Sequence, residues 1–268
     1  MWPLPKTFFP HHAANRMRAE GDLSRARTAF LGGRTANLDL LLKNRFAWMS
    51  SYLRPDQRIV EIGSGAGFAP TYLPNIGILL SEISPHPWID ICLDATNLPF
   101  APASLDAVLC VNALHHFPYP LRFLRDVAVA HLAQRGHLLV FEPNPSLIML
   151  GILRIMRHEG WSFERDVFDT TMPVSDQRDP WSGNNAVSAL LFRNKTDFHT
   201  HCPEFEIVED RLCECLIFLL SGGVTAKTRT MPLPPRALAW LDALDGILCG
   251  AAPGVFAMGR IIALRRRP

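Results

Sequence analysis

The chain has no excess of charge of either sign: 27 Lys and Arg stand against 25 Asp and Glu, a formal net charge of +2 over 268 residues. So even a balance does not ask for nucleic acid or any other highly charged partner. No secretory leader is expected. The first ten residues, Met1 to Pro10, hold three prolines and no apolar core, so disulfides are not expected from the six cysteines. Cys213 and Cys215 are two apart rather than in a CxxC spacing, and no matching His/Cys pair stands nearby, so no metal site is expected. Cys92 and Cys110 fall inside apolar runs that would bury a thiol. Long apolar runs are missing too. The nearest to a membrane span, Ile247 to Leu264, is interrupted by Pro253 and Arg260. There is no internal repeat and no low-complexity block. What remains is an ordinary globular composition, 48% apolar and 19% charged, with enough apolar material for a large core. A cytoplasmic α/β domain with modest additions is expected.

The order of elements supports this. To about Arg54 the apolar residues Leu38, Leu41, Leu42, Phe46, Met49 and Leu53 recur at helical spacing. From Arg58 to Pro143 short apolar runs alternate with helix-like segments. Strands are predicted at Arg58–Ile62, Ile78–Ile83, Ile89–Leu93, Leu105–Val111 and His137–Phe141, with a helix over Leu121–Leu132 and a turn at Gln134–Gly136. Continuous apolar strands alternating with helices imply a mostly parallel sheet covered on both faces. Beyond Glu142 a helix is expected at Ser146–Met156, a loop or lid at Asp169–Asn185 and late strands within Glu206–Leu220. Pro232, Pro234 and Pro235 read as a linker, and Arg236–Leu264 as one or two apolar helices broken at Pro253. The resulting partition is a helical cap (1–54), a central domain (55–230) with core motifs in 58–143 and lid insertions in 144–205, and an apolar helical extension (231–268).

The sharpest motif is Val60-Glu61-Ile62-Gly63-Ser64-Gly65-Ala66-Gly67-Phe68. A strand ends in an acid and runs into alternating glycines, which permit a tight turn and close approach of a ligand. The helix after it would offer free N–H groups. The spacing is G-x-G-x-G, not the G-x-G-x-x-G of dinucleotide sites, and an acid at the strand end suits an amino group rather than a pyrophosphate. Glu82 ends the second strand, where a carboxylate can accept from ribose hydroxyls, and Asp94 ends the third, where one can accept from an adenine amine. Each acid alone could be a solvated strand-end charge or a turn residue. Three in order at carboxyl ends of successive strands, where open α/β sheets bind ligands, point to one nucleoside site. Glu82 alone would also suit a nicotinamide oxidoreductase; the glycine spacing and Glu61 argue against it.

Together with Asp94-Ala95 before Leu98-Pro99-Phe100, Leu105-Asp106-Ala107-Val108 leading to Leu114-His115-His116, and Gly136 to Pro143, this segment resembles the class I S-adenosylmethionine-dependent methyltransferases, especially the type 11 subgroup. The resemblance implies a Rossmann-like sheet of seven strands, the last supplied by the C-terminal part. It implies S-adenosylmethionine as cofactor, S-adenosylhomocysteine as product, and cofactor contacts at Glu61, Gly63, Ser64, Gly65, Gly67, Glu82, Asp94, Ala95 and Asn112. One departure is the short connection Ser84–Trp88, with two prolines.

Methyl transfer needs alignment and, for a hydroxyl acceptor, loss of a proton. His116 is the first choice of base and His115 the second, against a structural role for the pair; Glu142 could orient a substrate or hold a loop. No Asn-Pro-Pro-Tyr motif follows the fourth strand, where Asn112-Ala113-Leu114-His115 stands, so O-methylation of a small secondary-metabolite, lipid or saccharide acceptor is the leading reading. C-methylation and a non-catalytic partner subunit are the alternatives. Acceptor specificity is expected from added segments: His11 and His12 in one, Trp161, Phe163, Phe168, Trp181, Asn184 and Asn185 in the other. They would suit a hydrophobic or aromatic small molecule. Trp240, Leu241, Leu244, Ile247 and Leu248, with Arg265, Arg266 and Arg267, could form a helical cover or a dimer face, or touch an anionic inner membrane surface.

Overall fold

The computed structural model describes residues 4–10, 23–157, 159–175, 182–223 and 231–268. His11, His12 and Trp181 lie outside the described residues.

Seven strands form the central sheet: β2 (Ile59–Ile62), β3 (Ile78–Glu82), β4 (Ile91–Cys92), β5 (Leu105–Val111), β6 (Leu132–Pro143), β8 (Phe205–Cys213) and β9 (Gly259–Arg266). Their order is β4-β3-β2-β5-β6-β9-β8. The pairs up to β6 are parallel; β9 is antiparallel to both β6 and β8. The Rossmann-like, mostly parallel arrangement expected from the sequence is therefore present. A separate two-stranded ladder joins β1 (Thr7–Phe8) to β7 (Trp161–Ser162).

Helices cover both faces. On one side α1 (Leu23–Leu31) and α2 (Ala36–Phe46) bury Phe30, Leu38, Leu41, Leu42 and Phe46 against Ile59, Leu109, Leu139 and Ile261 of the sheet. Thr35 starts α2 in extended backbone and its Oγ1 accepts from Leu38 N–H, a side-chain N-cap. On the other face α4 (Pro120–Asp126), extended by one wider turn through His131, packs with α6 (Val187–Phe192) and α7 (Lys195–His201) onto Val60, Val108, Leu138 and Ile262. The remaining helices are α3 (Ala69–Tyr72), α5 (Leu147–Met156), α8 (Leu216–Ser221), α9 (Pro235–Ala251) and α10 (Pro253–Phe256).

Several local expectations are corrected. The third strand is only two residues long, because Asp90 turns back onto β3: its amide donates to Leu80 O and its carboxylate accepts from Leu80 N–H. Cys92 is exposed rather than buried. Gln134–Gly136 lies within β6 as a bulge, since Leu105 pairs with Leu132 and Ala107 with His137. Arg135 takes a left-handed φ of 63° there. The late-strand region ends at Cys213, and Leu216–Ser221 is helical. Its free N-terminal amides explain this: Asp245 of α9 is buried and accepts from the N–H groups of Cys215, Leu216 and Ile217.

The largest correction concerns the C-terminal run. Arg236–Leu264 is not all helix: Gly259–Arg266 inserts between β6 and β8, with Ile261 to Leu264 fully buried. An apolar run buried on both faces has no two-residue alternation to betray it as a strand. Its arginines belong to the sheet: Arg260 is clamped by Asp210, Arg265 pairs with Glu206 and Arg266 donates to Leu132 O. Among the described residues no helix is long and apolar enough to cross a membrane.

Candidate active site at the carboxyl ends of the strands

One cavity of about 790 Å³ opens beyond the carboxyl ends of β2, β3, β4 and β5. It is lined by Glu61, Gly63, Ser64, Gly65, Glu82, Asp94, Ala95 and Asn112, so eight of the nine expected cofactor residues converge there. Gly67 does not line it; a Cβ at that position would fall 2.8 Å from Arg27 Nη1 and 3.0 Å from Trp88 Cδ1.

The glycine turn is held from behind. Gly63 and Gly65 have φ of 72° and 55°, backbone that a side chain strains. Ser64 N–H donates to Ser81 O at 2.8 Å, Arg27 Nη1 donates to Ala66 O at 2.6 Å, and Trp88 Nε1 donates to Gly65 O at 2.9 Å. Trp88 comes from the short β3–β4 connection and stacks on His86, so that departure acts as a brace. The helix expected after the turn is only four residues long, Ala69–Tyr72, and its Pro70 donates no N–H.

The three acids differ in environment. Glu61 is buried, and its Oε2 has no hydrogen-bond partner among the described residues. Burial, opposed by the Ser64 hydroxyl and reinforced by the Glu82 charge, pushes its pKa up to about 8. Glu82 accepts from Gly65 N–H at 2.9 Å and from Ile83 N–H at 2.8 Å, which ties the β3 tip to the glycine turn. Asp94 is exposed, and its Oδ1 accepts from Thr96 N–H and Thr96 Oγ1, both at 2.8 Å. That is an Asx turn. An orphaned, buried carboxylate beside a Cβ-free turn fits a cationic amino group. The acids on the next two strand ends fit a polar nucleoside running along them.

The loop after β5 is organised by Glu142. This carboxylate is fully buried and accepts from the N–H groups of Ala113 (2.8 Å), Leu114 (2.8 Å) and His115 (3.1 Å), and meets His115 Nδ1 at 2.6 Å. Asn112, with φ of 52°, makes the bend, and its N–H still donates to Phe141 O. Glu142 is absent from the cavity wall. Its bonds hold the loop. His115 and His116 do reach the wall, their rings 4.1 Å apart. Burial works against a charged His115, but Glu142 and then Glu159 outweigh it and push its pKa up to about 10.

Sequence reasoning missed Glu159, Arg45 and the apolar wall. Glu159 faces both imidazoles, 3.6 Å from His115 Nε2 and 3.9 Å from His116 Nε2, and accepts from Asn185 Nδ2 at 2.8 Å. Nothing in its spacing marks it. Arg45 forms a buried two-bond pair with Glu214, and its guanidinium lies 4.6 Å from the Phe141 ring centre. A further wall is apolar and mostly aliphatic, built by Met149, Ile152, Leu153 and Met156 of α5 with Phe218 and Leu219 of α8. Of the described aromatic and amide residues expected to bind an acceptor, only Asn185 lines the cavity. Trp161 is buried against Phe8 and donates to Pro5 O, Phe168 stacks on His201, and Asn184 accepts from Ser162 and Ala186 N–H. Phe163 is 37% exposed.

A family model described as a methyltransferase domain matches residues 60–140. No curated protein matches the chain in sequence. Similar solved structures include a proposed sarcosine dimethylglycine methyltransferase from Galdieria sulphuraria (14% identity, 92% of this chain and 98% of that one, TM-score 0.52). A SAM-dependent methyltransferase from Archaeoglobus fulgidus is similar at 15% identity, over 89% and 97% of the two chains, with TM-score 0.52. So is a chain from the complex between the Haloferax volcanii Trm112 methyltransferase activator and its proposed methyltransferase, at 13% identity over 94% and 97%, with TM-score 0.50. At these identities the structures speak for the fold alone. The family match bears out, over residues 60–140, the resemblance to S-adenosylmethionine-dependent methyltransferases.

Proposed function

We propose that the chain is an S-adenosylmethionine-dependent methyltransferase acting on a hydroxyl of a small, largely apolar molecule. The observation that carries this reading is the buried Glu61 carboxylate, whose Oε2 lacks a partner among the described residues, beside the Gly63–Gly65 turn and in one cavity with Glu82 and Asp94. When bound, the cofactor supplies an electrophilic methyl carbon. Glu61 and the glycine turn would hold its methionine end, Glu82 its ribose and Asp94 with Ala95 its adenine.

The chain's remaining work is alignment and exclusion of water. The apolar wall of α5 and α8 would seat the acceptor's apolar body, in place of the Trp161 and Phe168 expected from sequence. The His115–His116–Glu159 face is a second polar patch in the same cavity, apart from the three strand-end acids. The acceptor hydroxyl would lie there, where its proton can leave. Glu142 acts through His115 as a positioning residue.

Calorimetric titration with S-adenosylmethionine tests the cofactor half: one site per chain is expected, and Gly65→Arg should abolish it, because position 65 lines the cavity at φ of 55°. Undiminished affinity in that variant would refute the pocket. Incubating the enzyme and methyl-deuterated cofactor with a cell extract, followed by mass spectrometry, tests the acceptor half. A labelled carbon or nitrogen in place of oxygen would refute O-transfer.

A further inference from the structure

We propose that His115, His116 and Glu159 form a binding site for one divalent transition-metal ion of the Zn²⁺ type, at the wall of the acceptor cavity. The three side chains come from separate segments, the loop after β5 and the stretch before β7, and each offers one ligand atom within 4.8 Å of the others. His115 Nε2 stands 3.6 Å from Glu159 Oε2 and His116 Nε2 stands 3.9 Å from Glu159 Oε1. These separations are long for direct hydrogen bonds. They are close to the ~3.4 Å between two ligands that each sit ~2.1 Å from a tetrahedral ion.

The surroundings have the features of a built ligand set. His115 Nδ1 is fixed to Glu142 at 2.6 Å, which leaves Nε2 facing Glu159. A carboxylate on the far ring nitrogen is the usual support of a metal-bound histidine. Glu159 is itself held by Asn185. The Gly183 loop closes against both rings: a Cβ there would lie 2.7 Å from His115 Cδ2 and 3.3 Å from His116 Cε1, and Asn184 N–H donates to His115 O. An ion bound here would replace the proton that Glu142 and Glu159 favour on His115, since a ligating imidazole nitrogen must be unprotonated. Two imidazoles and one carboxylate select a borderline ion over Mg²⁺ or Ca²⁺, which prefer oxygen.

Among the described residues three side chains can ligate, and all three line the cavity, so a further position open to it would have the pattern of a catalytic rather than a structural site. On the reading given above, that position would take the acceptor hydroxyl. Coordination lowers its pKa, and the proton leaves to bulk water. The oxygen lone pair then forms the O–C bond while the methyl C–S bond breaks, its electron pair staying on sulfur as the neutral thioether.

The experiment titrates the metal-freed full chain with Co²⁺, followed by visible absorption, and with Zn²⁺, followed by calorimetry. One ion per chain and the intense absorption of a four- or five-coordinate Co²⁺ site are expected. His116→Ala and Glu159→Gln should each weaken binding at least ~10-fold, with circular dichroism melts showing that each variant is folded. The absence of such absorption, or unchanged binding in the double variant, overturns the site by leaving the ion to other histidines. S-Adenosylmethionine is titrated separately into the wild-type chain, so loss of the cofactor reading and loss of the metal site give different results.

Discussion

Replacing Glu61 with Gln should make the cofactor-free protein more stable and its ligand affinity worse. Burial raises this carboxylate from 4.5 to about 8. A group whose folded pKa exceeds its unfolded one binds more protons in the native state between those values, so stability falls as pH rises through that window. At ~1.4 kcal/mol per unit, the cost is negligible below pH ~4.5, about 3 kcal/mol at pH 7 and at most ~5 kcal/mol above pH 8. The glutamine variant cannot ionise and escapes it. Urea denaturation of both proteins from pH 5 to pH 8 should therefore give a stability difference that grows in favour of Glu61→Gln by about 3 to 4 kcal/mol. Taking the difference cancels the histidines common to both. Binding should run the opposite way. A cationic amino group must ionise Glu61, so wild-type affinity should climb by up to ~10-fold per pH unit towards pH ~8, then fall as the ligand's α-amino group, with a pKa of about 8, loses its own proton. Glu61→Gln should bind ~100-fold or more weakly at pH 8, since a buried charge pair has lost one partner. Parallel stability curves for the two proteins would refute the reasoning.

Three further outcomes are expected. Glu142→Ala removes the acceptor of three backbone N–H groups and the His115 ring; thermal denaturation should show a loss of about 3–5 kcal/mol. Glu214→Ala leaves Arg45 buried without its two-bond partner and should cost about 3–5 kcal/mol, whereas Arg45→Met combined with Glu214→Met should recover most of it, read by chemical denaturation. Ser146→Ala removes the hydroxyl that accepts from Met149 N–H at the start of α5 and should lower stability by only ~1 kcal/mol, read in the same way.

The proposed cofactor half of the cavity was legible because its residues sit on consecutive strand tips. Glu61, Glu82 and Asp94 each follow an apolar run, and parallel topology carries those run ends to one edge of the sheet. The acceptor half was not legible. Glu159 stands 44 positions from His115 by sequence number, and the Gly183–Asn185 segment ties the two together through bonds to Gly160, Glu159 and His115 O. The aromatic residues that drew attention, Trp161 and Phe168, are spent on packing, while the wall comes from α5, whose apolar side chains look like any core helix. β9 escaped notice because β6 and β8 flank it and helices cover it, so all its first six residues are buried and no alternation marks its faces.

The central claim is most directly tested by a crystal structure of the chain with S-adenosylhomocysteine. The account predicts the ligand's amino nitrogen within hydrogen-bond reach of Glu61, the ribose against Glu82 and the adenine beside Asp94. A ligand bound elsewhere, or one whose carboxylate rather than amino group faces Glu61, would contradict it.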